Sequence, residues 1–131
     1  SVPTACVGPA GPMLLTAAYL PWIGSSFESM ATGFAPSSLA VSAYGLATQS
    51  LPLALLHAAG LPNCDLLVTA EAVRLLVPAG GSATLQFAIP KDLSLVGVRL
   101  HHQFLQGEFG AQGALLSLSA SNALALTVGA F

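Results

Sequence analysis

Charge is what this sequence has least of. Three Lys or Arg and five Asp or Glu make up 6% of the chain, with a formal net charge of −2. A soluble domain typically carries about 25% charged residues. Three cations cannot form a basic patch that holds phosphates, so nucleic acid is not an expected partner. Nor is there much ionic protection against self-association.

Chemistry-bearing motifs are equally sparse. No Ser sits in a G-x-S-x-G elbow, and no Gly-rich loop leads into a helix where a phosphate could rest. The five acids, Glu28, Asp65, Glu71, Asp92 and Glu108, are scattered, whereas glycoside hydrolysis needs two carboxyl groups flanking one cleft. The three histidines are His57, His101 and His102. Neighbours on a strand point to opposite faces, so His101 and His102 cannot readily chelate one ion. His57 has no second ligand at metal spacing. The chain is therefore expected to be no enzyme and to use no metal or cofactor. His101 reads as a solvated strand residue, and His102 as half buried and bonded to a backbone carbonyl.

Apolar residues are abundant: 54% of the 131 residues, with a mean hydropathy of +0.78. The uncharged run from Glu108 to Phe131 is long enough on paper for a membrane helix, which needs roughly 20 residues. Its pattern argues otherwise. "LSLS" and "ALALTV" alternate with period two, the signature of a strand. A transmembrane barrel also alternates but needs at least eight long strands with polar lumen residues, for which the chain is short. No membrane span is expected.

Thirteen Gly and nine Pro punctuate the chain. Between them, strands are expected at 13–20, 25–32, 39–47, 66–68, 73–77, 83–89, 98–105, 115–119 and 124–128. The class that follows is all-β: one domain over 1–131, an antiparallel β-sandwich of about 8–9 short strands. In "SATLQFAIP" one face holds Ala83, Leu85, Phe87 and Ile89. In "VGVRLHHQF", Leu100, His102 and Phe104 share a face opposed by Arg99, His101 and Gln103. "PAGGSA" predicts a tight reversal joining 73–77 and 83–89 as a hairpin, and "SASNA" around Asn122 a softer turn. The stretch 51–64, interrupted by Pro52, Gly60 and Pro62, reads as a buried, mostly irregular crossover with strand-like pieces. One short helical turn is expected near 91–96, with Asp92 as its cap and Gly97 at its end, carrying the chain between sheets.

Cys6 and Cys64 are the only cysteines. They suit one disulfide in an oxidising compartment, closing a loop worth about 3–4 kcal/mol. The start "SVPTAC" has no initiator Met, as if a secretory leader had been removed. Residues 1–12 read as an extended terminal segment able to add to a neighbour's sheet edge. Trp22, with Tyr19, Phe27, Phe34 and Tyr44 nearby in sequence, is a candidate partner contact: a sugar platform, or core packing plus one loop ring.

The order "GSSF", "LPNCDLLV", "GSATLQFAIPKDLSLVGVRLHHQFLQ" and "LSLSASNALALTVG" resembles a module common at the C-termini of large secreted proteins of planctomycetes and similar bacteria. That pattern reads as an early Cys, "PGC-x-L-x-V", "IPNDPxLVGxxLYxQ" and a final "LSNAL" strand. Cys6, residues 61–68, 89–103 and 118–129 carry the likeness. Lys91, Leu93, His101 and His102 depart from it. The resemblance implies a secreted all-β module with a disulfide and no catalytic residues. Together with the missing charge, it gives the expectation of a secreted structural subunit that assembles with copies of itself, in an extracellular or cell-surface filament or sheath. The alternative is a monomeric adhesion or polysaccharide-binding module using Trp22.

Overall fold

The computed structural model describes residues 6–19, 22–36, 38–111 and 113–129. Nine strands are formed among them: β1 (Leu14–Tyr19), β2 (Ser26–Thr32), β3 (Ser38–Gly45), β4 (Thr48–Pro52), β5 (Asp65–Val68), β6 (Ala72–Leu76), β7 (Ser82–Ala88), β8 (Arg99–Phe109) and β9 (Leu115–Thr127). A single α-turn, α1 (Leu53–Leu56), follows β4, and a 3-10 turn spans Leu93–Leu95.

The strands form three antiparallel sheets, in the orders β1-β2-β7, β6-β3-β8-β9 and β4-β5. The first two face each other across the main core. Leu15, Phe27, Ala31 and Leu85 come from one sheet, Ala40, Phe104, Leu124 and Leu126 from the other. The alternation read in β7 holds at the described side chains: Ala83, Leu85 and Ile89 are buried, while Thr84, Gln86 and Ala88 are exposed, and the Phe87 side chain lies outside the described residues. A third layer, the β4–β5 hairpin, covers one end of the outer face of the four-stranded sheet. It closes a second core of Cys6, Ala43, Leu53, Cys64, Leu66, Val68, Ala120 and Ala123. The layers approach so closely that a side chain at Gly45 would collide with the Thr69 carbonyl, which requires glycine there.

The structure departs from several of these expectations. Residues 115–119 and 124–128 are one strand, not two joined by a turn. β9 carries a bulge instead: Gln103 pairs with Ala123 and Leu105 with Ala120, so Ser121 and Asn122 both oppose Phe104. The polar pair imitates a loop in sequence but has its hydrogen bonds inside the fold. Ser121 Oγ accepts from the Phe104 N–H at 3.0 Å, replacing a ladder carbonyl.

The reversal at Ala79–Ser82 is present, with Gly80 and Gly81 at φ 61° and 81°. The strands beside it are not hairpin partners. β6 pairs with β3 and β7 with β2, so the turn is an arch between sheets. Its two glycines dictate a chain reversal but not which neighbour each strand finds.

The crossover at 51–64 has an expected strand-like piece, the end of β4, but it is mostly not buried, and a helical turn stands where irregular chain is expected. β4 and α1 occupy its start, and of α1 only Leu53 is buried; Leu55 and Leu56 are exposed. Finally, His102 is fully rather than half buried, with 1% of its surface exposed, and Gln103, placed by its parity on the outer face, is 0% exposed under β5.

Of the extended segment expected over 1–12, residues 1–5 lie outside the described residues. From Cys6 onward the chain does not run free: Cys6 is buried, and Gly8 and Gly11 exchange both backbone bonds at 3.0 Å in a tight turn. No helix of the described residues is long and apolar enough to cross a membrane.

Candidate functional site

The disulfide joins Cys6 to Cys64 across a sequence separation of 58. A loop of that size is worth about 4 kcal/mol in the chain-entropy account. Cys6 Sγ also accepts from the Ala120 N–H at 3.2 Å, so the bridge fastens the amino-terminal end of the chain to β9 and to the third layer together. Asp92 caps the 3-10 turn, its Oδ1 accepting from Ser94 N at 3.0 Å and Ser94 Oγ at 2.8 Å. The Ser94 amide and then its hydroxyl hold the Asp92 carboxyl below the usual range. The turn carries the chain from β7 in one sheet to β8 in the other.

The histidines do not converge. His57 is exposed, His101 half buried and His102 in the core. Among the described residues no group of three or more His, Cys, Asp or Glu could hold a metal ion. His102 Nδ1 lies 3.3 Å from the Ala43 carbonyl, which can only accept, and Nε2 lies 3.0 Å from Ser29 Oγ. The neutral tautomer with its proton on Nδ1 satisfies both, with the Ser29 hydroxyl donating to Nε2. Phe27, Phe104 and Tyr44 pack around the ring. Burial pushes the His102 pKa down to about 4, and the Ala43 bond offsets only part of that. A Ser–His pair is thus present but has no access to substrate: Ser29 is 0% exposed. Glu71 is engaged by Thr69 Oγ1 and the Leu46 N–H, and the Thr69 bond leads in lowering its pKa.

Trp22 is half exposed, and its ring lies against Gly129. The aromatics near it in sequence do not extend it into a platform. Phe27 and Phe34 are in the main core, Tyr44 packs on His102, and the Tyr19 side chain lies outside the described residues.

The sheet edges show a sharper asymmetry. β1 and β9 lie on the same side of the sandwich, and each is guarded. Asn122 Oδ1 accepts from Leu15 N at 2.7 Å, and its Nδ2 donates to Leu15 O at 3.0 Å, so one side-chain amide imitates a strand beside β1. On β9, Leu118 donates to Ala59 O and accepts from Leu61 N, Ala120 donates to Cys6 Sγ, and past the strand Gly129 accepts from Ile23 N. On the opposite side lies β6, the other outer strand of the four-stranded sheet. Among the described residues no element pairs with its outer edge. Val73, Leu75 and Val77 form a stripe on the outer face, 62%, 65% and 78% exposed, beyond the cover of β4–β5. Arg74 is the single charge on the strand. Natural edges are usually blunted by several charges, bulges or covering loops, and here the blunting is confined to one side. The sequence could not reveal this, because "AVRLLV" reads alike at an edge or in the middle of a sheet.

Comparison with known protein families, curated proteins and solved structures gives no match.

Proposed function

We propose that the chain is a non-enzymatic, secreted structural subunit that associates with copies of itself through the β6 edge, building an extracellular or cell-surface filament or sheath. One observation carries this: an outer strand whose far edge has no partner among the described residues and whose outward side chains, Val73 and Leu75, are continued by Val77 just past its end. Strand addition satisfies open backbone groups while apolar side chains leave water, and the two gains fall on the same residues. The guarded β1 and β9 edges support a directed contact over general stickiness. The disulfide suits an oxidising compartment. Membership of the secreted C-terminal module family, as the sequence motifs imply it, belongs to the same proposal.

Identical strands paired edge to edge close on themselves, so growth beyond a pair uses another surface. Edge pairing creates one, because the two stripes merge into a single apolar face that remains open to a further sheet.

Leu75→Lys is the direct test. The side chain is largely exposed, so the fold should tolerate the charge, with stability within about 0.5 kcal/mol of the parent. The expected outcome is loss of assembly by sedimentation and electron microscopy with unchanged circular dichroism. A parent chain that stays single at high concentration overturns the reading. The half-exposed Trp22 favours a second reading, polysaccharide binding by a monomer. Under it, Trp22→Ala weakens retention on insoluble polysaccharide and leaves oligomeric state alone; under self-assembly it changes neither.

A further inference from the structure

Resting on the self-assembly reading, we infer that the partner of β6 is the β6 strand of a second copy, antiparallel about a two-fold axis at Leu75, making one continuous eight-stranded sheet. The stripe itself selects this arrangement. Residues directly opposite in an antiparallel pair lie on the same face. Keeping both outer faces on one side requires a two-fold axis through a residue; an axis between residues sets the stripe of one copy beside the core-facing residues of the other.

An axis at Ala72 sets Leu75 against Thr69, outside the strand, which leaves four residue-centred registers, over residues 73–76. An axis at Leu75 sets Leu75 against Leu75 and Val73 against Val77, so every apolar side chain of the stripe meets another. An axis at Arg74 sets two guanidinium groups directly opposite, a destabilising like-charge pair. An axis at Val73 sets Leu75 against Glu71, already held by Thr69 and Leu46. An axis at Leu76 brings Pro78, which has no N–H, opposite Arg74 and cuts the ladder short. At Leu75, Arg74 faces Leu76 of the second copy, and Pro78 falls at the end of the ladder.

A second copy also fits the electrostatics better than a charged partner. Arg74 is the only charge between Ala72 and Val77, so the edge offers almost nothing for an ionic partner to recognise. The same edge turned through the two-fold offers a matching stripe.

Cysteine substitution reads the register in the full-length chain. The native bridge is buried at both ends, with Cys6 and Cys64 at 2% and 1% exposure, and does not compete. Under mild oxidation Leu75→Cys shifts from monomer to a cross-linked dimer on a non-reducing gel. Val73→Cys and Val77→Cys each stay monomeric alone, because like positions are then about 13 Å apart, beyond the 7 Å limit for bridging. Mixed together, those two give a cross-linked dimer. If Val73→Cys links to itself and Leu75→Cys does not, or no variant links while the parent still sediments as an assembly, this register is overturned and self-assembly stands. If the parent sediments as a monomer, both fall.

Discussion

Gln103→Ala should be among the most damaging single substitutions in this protein, lowering unfolding free energy by about 5 kcal/mol. The side chain is 0% exposed and ties three segments together. Oε1 accepts from the Leu67 N–H at 2.9 Å, and Nε2 donates to the Asp65 carbonyl at 3.0 Å and the Ser121 carbonyl at 2.9 Å. β5 therefore meets the four-stranded sheet through a side-chain amide that completes hydrogen bonds on its edge. Truncation strands three backbone groups, each costing about 1–3 kcal/mol where water cannot replace the partner, and leaves a cavity. Gln86, exposed and only 3.4 Å from Glu28 as a donor, is the contrast; Gln86→Ala should change stability by less than about 0.5 kcal/mol. Denaturant titration of both variants gives the comparison, and amide exchange at Leu67 should accelerate in the first alone. A loss below about 1 kcal/mol for Gln103→Ala would mean that the Cys6–Cys64 bridge and the second core hold the third layer unaided.

The same residue shows where sequence legibility ends. Period-two alternation gives β7 its faces, because one of its sides meets solvent and Thr84, Gln86 and Ala88 are spent on that side. β8 is buried on both sides over His102–Phe104, so polar no longer means outward. Gln103, Gln106, Ser121 and Asn122 look like surface or loop residues, yet each binds a segment far away in sequence. Gln106 accepts from Ala35 N at 2.6 Å, and Asn122 reaches Leu15. Nothing local announces such partners. Features with local causes were legible: the Asp92 cap depends on Ser94, two residues on, and the Ala79–Ser82 reversal on its two glycines. The cysteine pair was legible because only one pairing exists. β4 was not. Its burial pattern shows four exposed positions and one half-buried, so no alternation marks it as a strand. The β6 edge was legible as a strand and illegible as an edge, since strand order depends on long-range pairing.

Acid should destabilise the fold through His102 before the core is otherwise disturbed. Its folded pKa is about 4, against 6.5 for the free side chain. Above pH 6.5 the imidazole is neutral in both states, and the full stability is present. Below it the unfolded chain binds a proton that the folded chain refuses, so stability falls as pH falls, down to the folded value near 4. The loss over that window is about 3 kcal/mol at 1.36 kcal/mol per pH unit. The refusal has a structural cause. Nε2 already accepts from Ser29, Nδ1 already donates to Ala43, and the surrounding rings of Phe27, Phe104 and Tyr44 offer no counter-charge. Asp92 and Glu71, both lowered, act in the same direction at lower pH, so the variant comparison must isolate the histidine. His102→Asn should be less stable at pH 7 yet show a flatter profile between pH 7 and 5. The His102 ring proton should keep its neutral chemical shift to about pH 4 in nuclear magnetic resonance. A parent profile that is flat from pH 7 to 5, or a ring signal that titrates near pH 6.5, would show that water reaches this imidazole and that the layers over it open far more readily than their packing implies.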